Sequence, residues 1–135
     1  MTMLAAPGMG RSASIPRHAD GLLFLRLRPD GRGRTAIAER HQRFPLRTTM
    51  PFHLDAAARD MAFVYVQNPT GGVFAGDRLE LRLTVEQDAR VHLRTQSATR
   101  ICQMDGGSAS QEIAVALAPG DVLWPLLHMP VAIHR

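Results

Sequence analysis

Residues 78–96, RLELRLTVEQDARVHLRTQ, decide the fold class of this chain. The first eight positions place their apolar side chains on alternate residues: Leu79, Leu81, Leu83 and Val85. Alternate side chains of a strand point to the same face, whereas a helix would scatter these leucines around its surface. The stretch therefore predicts a half-buried β-strand from Arg78 to Val85.

The same alternation returns after a short polar connection. Val91, Leu93 and Thr95 share one face of a second predicted strand, Arg90–Gln96. Only residues 86–89, EQDA, separate the two segments. Such a short connection predicts that the two strands pair as a hairpin or as part of a meander.

Short apolar segments separated by turn residues continue in both directions. Upstream, Leu22–Arg28 and Arg34–Arg40 flank a Pro-Asp-Gly turn and predict a hairpin, and residues 63–66, FVYV, predict a buried strand. Downstream, strands are expected within residues 98–104, 111–117 and 122–124. Residues 54–60 could form one short helical turn starting at Asp55. The pattern predicts an all-β chain, an antiparallel meander with at most one short helix.

Length and composition set the expected domain organisation. A chain of 135 residues is long enough for one domain with a real core. Residues 1–20 are rich in Gly, Pro and Ser and predict a flexible leader. Residues 21–135 are expected to form a single β domain.

The positive charge is carried by Arg alone, because the chain has 16 Arg and no Lys, with a formal net charge of +4. Ten Arg stand against four acids in residues 11–59, so this half could meet an acidic partner. Nucleic-acid binders add aromatic stacking or a recognition helix, which the sequence does not show, so no nucleic acid is expected. The sequence shows no signal peptide and no membrane span, and a cytoplasmic location is expected.

The glycine-rich stretch 71–78, GGVFAGDR, has no Lys and therefore is not a phosphate-binding loop. It is also not a dinucleotide-binding motif, because such a motif precedes a helix and this stretch precedes a predicted strand. The six His residues and Cys102 have no metal-ligand spacing, so no firm metal site is expected. Neither a nucleophile motif nor a pair of hydrolytic carboxylates occurs, so the chain is predicted not to be an enzyme. Asp77 remains open between an acid, a metal ligand and a carboxylate that accepts backbone N–H groups of its turn.

Three blocks of the sequence closely resemble the family of the urease accessory protein UreD, also called UreH. They are residues 68–79, NPTGGVFAGDRL, residues 91–100, VHLRTQSATR, and residues 104–107, MDGG, in the family's order and spacing. Segments near Gly21, Gly33 and Pro45 resemble the beginning of the same family. The resemblance covers residues 20–125, roughly the N-terminal half of a UreD-like fold.

The resemblance implies a non-enzymatic scaffold with a β-helix-like stack of sheets. Family members join UreF and the GTPase UreG in a complex that docks on urease apoprotein and delivers nickel. The resemblance further implies that no cofactor is bound tightly and that a nickel ion is contacted transiently along an interior polar channel.

Carried onto this sequence, the resemblance points to two groups of residues. The nickel-channel group is Asp77, Thr95, Ser97 and Thr99, with Gln96 beside it. The structural-turn group is Asn68, Gly71, Gly72 and Gly76. Oxygen ligands hold nickel more weakly than imidazole or thiolate, so these side chains suit an ion that moves on.

Two alternatives to a working scaffold stay open at this point. Family members are longer than this chain, so it could be a truncated, non-functional or regulatory fragment of such a protein. It could also be a basic β-sheet binding module unrelated to urease.

Overall fold

The computed structural model of the chain describes residues 18–96, 98–119, 127–128 and 131–133. Within these ranges it contains ten strands and no helix, which confirms the all-β class. The strands are β1 (Asp20–Pro29), β2 (Thr35–Arg43), β3 (Arg47–Thr48), β4 (Ala62–Gln67), β5 (Arg78–Val85), β6 (Val91–Thr95), β7 (Thr99–Ile101), β8 (Ser110–Leu117), β9 (Leu127–His128) and β10 (Val131–Ile133). The strand predicted at 122–124 and residues 1–17 of the predicted leader lie outside the described residues.

The hairpin predicted at the start of the fold is confirmed. β1 and β2 pair antiparallel from Leu22 opposite Arg43 to Pro29 opposite Thr35. The carboxylate of Asp30 accepts the N–H groups of Arg32 and Arg34 at 2.7 and 3.0 Å, which closes the turn between the strands.

The ten strands form three sheets. Sheet A has the strand order β2-β1-β5-β8, sheet B has the order β3-β4-β6-β9, and sheet C consists of β7 and β10. From β4 onward the chain visits sheets B, C and A in turn, with Val73 joining sheet C through a bridge to Ile101. Four of these strands, β4 to β7, each pair in parallel with the next strand of the same sheet, about thirty residues along the chain. We call one such circuit of the three sheets a coil. The β-helix-like stack implied by the resemblance is therefore present.

The antiparallel meander predicted for the middle of the chain is wrong. β5 belongs to sheet A and β6 to sheet B, and β8 pairs in parallel with β5 rather than continuing a meander. Residues 86–90 turn a corner between sheets: Ala89 N–H donates to the Glu86 carbonyl at 3.1 Å, and Asp88 has φ 64°. Glu86 N–H donates to the Leu27 carbonyl, which keeps the end of β5 beside β1 while the chain crosses to sheet B.

The core lies between sheets A and B. Its sheet A side consists of Leu23, Leu25, Leu27, Leu79, Leu81, Leu83 and Val85, and its sheet B side of Ala62, Val64, Val66, Val91 and Leu93. All of these side chains are buried, and each fully buried Leu or Val stabilises the fold by roughly 1.5–3 kcal/mol. The inner faces predicted for β5 and β6 are the observed ones.

The segment between the hairpin and β4 contains a turn rather than a helix. Ala58 N–H donates to the Asp55 carbonyl at 3.1 Å, and Ala57 N–H donates to the Asp55 carboxylate at 2.8 Å. The described part of the chain has no helix with the length and hydropathy needed to cross a membrane.

Candidate functional site

A cavity of about 210 Å³ lies where the ends of β4 and β6 meet the starts of β5 and β8, beside β7. Its apolar lining comes from Leu46, Val66 and Leu79, and its polar lining from side chains at the strand ends. The interior between sheets A and B is filled by apolar side chains up to this point, so the cavity is the polar end of an apolar core.

Most of the residues singled out from the sequence meet at this cavity. Thr95 and Thr99 of the predicted channel group line it, together with the neighbouring Gln96. Of the predicted turn group, Asn68, Gly71 and Gly72 line it. Ser97 lies outside the described residues, and Asp77 and Gly76 lie elsewhere than in the cavity lining.

The Thr95 hydroxyl has no hydrogen-bond partner among the described residues. It is the third inward position of β6, in phase with Val91 and Leu93, and it stands opposite Val66 of β4. Its Oγ1 is buried. Buried hydroxyls are normally paired, so this oxygen is suited to a polar molecule or ion in the cavity.

The turn from Asn68 to Gly72 forms one wall and is held by its own side chains. Asn68 Oδ1 accepts the Thr70 N–H at 3.2 Å and lies 2.6 Å from the Thr70 hydroxyl. Gly71 has φ 86°, in the left-handed region that side chains disfavour. An added Cβ at Gly72 would lie 3.0 Å from both the Arg100 carbonyl oxygen and Cys102 Sγ, so this glycine permits close approach to β7.

Asp77 is buried, with 3% of its surface exposed, and both carboxylate oxygens are occupied by backbone groups. Oδ1 accepts the Ala19 N–H at 2.7 Å, and Oδ2 accepts the Phe74 N–H at 2.9 Å. The preceding Gly76 has φ 89°, and an added Cβ there would meet the His18 side chain. This geometry favours the turn role for Asp77, and contact with nickel stays a prediction.

Neutral oxygen and nitrogen groups dominate the chemistry of the cavity. Among the described residues that line it, only Arg100 carries a formal charge. In the described part of the chain no group of three or more His, Cys, Asp or Glu side chains is placed to hold a metal ion. Amide and hydroxyl oxygens can contact a hydrated divalent ion and release it, which differs from a closed metal site.

Two polar lining residues were not singled out as site residues from the sequence. Gln111 is the second residue of β8 and lies opposite Leu79, and Arg100 lies in β7. A signal for Gln111 was present, because it falls in phase with the inward Ile113, Val115 and Leu117 and is therefore a polar side chain on an apolar face. Arg100 has no comparable signal, since a strand of three residues has too little alternation to define a face.

The carboxyl groups with shifted pKa values lie on the first hairpin and not at the cavity. Hydrogen bonds from the backbone of Arg32 and Arg34 lower the pKa of Asp30. A hydrogen bond from the His41 side chain, with the charge of Arg26, lowers the pKa of Glu39. Both groups are close to solvent, so these shifts reflect local turn and strand contacts.

Comparison with known proteins gives a consistent set of relatives. The family model for the UreD urease accessory protein matches residues 19–126. Urease accessory protein UreD 1 of Bradyrhizobium sp. (strain BTAi1) is 37% identical over 117 residues, which cover 87% of this chain and 41% of the relative. Urease accessory protein UreD of Mycolicibacterium gilvum is 34% identical over 110 residues, 82% of this chain and 40% of the relative. The chain thus spans about two fifths of the length of these curated relatives.

Proposed function

We propose that the chain acts in the maturation of urease, because it belongs to the UreD family of urease accessory proteins. The family match over residues 19–126 is the observation that carries this proposal. It also excludes the alternative of a β-sheet module unrelated to urease.

The proposed role is that of a scaffold in the cytoplasm, not of an enzyme. In this role the chain contributes to a complex with UreF and the GTPase UreG, and the complex docks on urease apoprotein. In this proposal the GTP chemistry belongs to UreG. The basic N-terminal half provides a surface for acidic partners.

Nickel is the proposed cargo, and the cavity is the proposed place of contact. Thr95 and Thr99 line it with hydroxyl-bearing side chains, and Thr95 Oγ1 has no partner among the described residues. Such ligands exchange readily with water, so a hydrated ion can pass without being trapped. Gln96 and Gln111 add further neutral donors along the same wall.

A chimera tests the family role. Residues 19–126 of this chain replace the matching segment of the Bradyrhizobium UreD 1 relative, and the chimera is expressed with urease, UreF and UreG in a host lacking its own UreD. We expect urease activity and urease-bound nickel well above the host without UreD. Activity no higher than in that host, with UreF still captured by the chimera, would contradict a role in urease maturation.

Threonine-to-valine changes in the same chimera test nickel contact. Thr95→Val combined with Thr99→Val removes two hydroxyls with little change in shape, and we expect urease nickel content to fall at least about threefold. Thr84→Val is the matched control, because Thr84 lies on the outer face of β5. Capture of UreF by all variants would show that they fold. Equal nickel content in the double variant and the control would remove the cavity from the proposed route and leave the family role intact.

A further inference from the structure

The outer face of sheet B carries a cluster of aromatic side chains. Phe52, Phe63 and Tyr65 lie on it, and we call these three side chains the aromatic face. Phe52 bridges to Phe63, and its ring packs edge-on against Tyr65 with centroids 6.2 Å apart. Phe52 is 45% exposed, and Met50 and Leu54 on either side of it are 69% and 64% exposed. These exposed side chains add apolar surface that lies outside the buried core.

Two arginines border the aromatic face. Arg94 stands beside Tyr65 in register, and Arg47 stands opposite Gln67 at the end of β4. Both are exposed, and neither forms an ion pair within the described residues, whereas Arg26, Arg34, Arg43, Arg82 and Arg90 all do. Strands β3, β4 and β6 contain no Asp or Glu, so the face carries positive charge without internal compensation.

The edge of this sheet is unsuited to an added strand. At this edge β3 is only two residues long, and Pro51 beyond it has no N–H to donate to an added strand. A partner must therefore bind through side chains laid on the face. An amphipathic helix does this, with its apolar stripe on the aromatic rings.

We propose that the aromatic face, with Arg47 and Arg94, docks an acidic amphipathic helix of a partner protein. Leucine-like side chains of the helix pack on Phe52 and Tyr65, and carboxylates on its flank pair with the two guanidinium groups. The uncompensated positive charge selects an acidic helix over a basic one. This inference rests on the surface of sheet B and does not depend on the proposed role in urease maturation.

A labelled synthetic helix tests the proposal with the full 135-residue chain. The probe is a fluorescein-labelled peptide with Leu at helical spacing and Glu on both flanks, and its control carries Lys in place of Glu. We expect fluorescence anisotropy to show saturable binding of the Glu peptide that weakens as salt is raised, and at least about tenfold weaker binding of the Lys peptide.

Charge reversal locates the binding site. Arg47→Glu combined with Arg94→Glu is expected to weaken binding of the Glu peptide at least about tenfold, with an unchanged circular dichroism spectrum. Arg28→Glu is the matched control. Arg28 is an exposed residue of β1, on sheet A, and it forms no ion pair among the described residues. This change should alter binding less than about twofold. A Phe52→Ser variant provides a second test that leaves the charge intact and should also weaken binding.

Three outcomes would overturn the proposal. One is equal binding of the Glu and Lys peptides. Another is loss of binding in Arg28→Glu equal to that in the double variant. The third is concentration-dependent self-association in sedimentation experiments that Phe52→Ser abolishes, because the face would then be an interface between two copies of this chain.

Discussion

At the scale of single residues, Asp77 connects parts of the chain that are distant in sequence. Its carboxylate accepts the N–H of Ala19, 58 positions away, and its carbonyl accepts the N–H of Ser110 at the start of β8. With the Phe74 N–H it satisfies three backbone donors at one buried point. A buried donor that loses its acceptor retains the full cost of its desolvation, so this carboxylate has a large effect on stability.

We therefore predict that Asp77→Ala lowers the free energy of unfolding by about 3 kcal/mol, because two buried N–H groups lose their acceptor. Asp77→Asn keeps one acceptor oxygen and should lose roughly half as much. Urea denaturation followed by circular dichroism measures both. Asp88→Asn is the control: Asp88 is exposed at φ 64°, a conformation that Asn tolerates, and its midpoint should not move. An unchanged midpoint in Asp77→Ala would mean that the turn does not need the carboxylate.

Asp30 gives a prediction about pH. Backbone hydrogen bonds from Arg32 and Arg34 lower the pKa of Asp30, so folding favours its ionised form. Its contribution to stability is present above the pKa of the unfolded chain and is lost as pH falls through the lower pKa of the folded chain. Asp30→Asn keeps the acceptor but cannot titrate. We expect the melting temperature of this variant to fall less than that of the parent protein between pH 5 and pH 2. An equal fall in melting temperature for both proteins would contradict a contribution of ionised Asp30 to stability.

At the scale of elements, the sequence could show which residues form strands but not which strands are neighbours. Alternation from Arg78 to Val85 and from Val91 to Thr95 defined the inward faces correctly, because burial on one side imposes a period of two. Alternation is the same whether a strand pairs with the next strand or with one a coil later. The connection at 86–90 is short enough for a hairpin. In the structure it instead joins two different sheets, and the hydrogen bond from the Glu86 N–H to the Leu27 carbonyl keeps the end of β5 beside β1.

Gly72 tests how closely the turn before β5 must approach sheet C. An added methyl group would press on the Arg100 carbonyl oxygen and on Cys102 Sγ, both 3.0 Å away, where Val73 exchanges hydrogen bonds with Arg100 and Cys102. We expect Gly72→Ala to lower the free energy of unfolding by about 1–3 kcal/mol. Gly31→Ala is the control, because a Cβ there would meet nothing within 4 Å and φ is not positive. Equal stability of the two variants would show that sheet C can shift without cost.

At the scale of the whole molecule, the candidate site depends on the stacking that places the ends of sheet B strands beside the starts of sheet A strands. Thr95 ends an inward face of sheet B, and Gln111 begins an inward face of sheet A. Each is a polar side chain in phase with apolar neighbours, which the sequence displays. Their common cavity requires the parallel stacking of β4 with β6 and of β5 with β8, which the sequence does not display. The same stacking turns Asp77 toward Ala19 and away from the cavity lining.

The stacked sheets also predict an order of local stability across the molecule. β1 and β5 are interior strands of sheet A, hydrogen-bonded on both sides, and their Leu25, Leu81 and Leu83 side chains are almost fully buried. β8 pairs with β5 on one side within the described sheet, and its Ile113 is 39% exposed. Amide protons exchange through local openings whose free energy rises with burial and pairing, so we expect exchange in β8 at least about tenfold faster than in β1 and β5. Hydrogen exchange followed by NMR measures this order. Equal protection of β8 and β5 would mean that the free edge of β8 is covered in solution, for example by self-association, and dilution of the sample would then restore the difference.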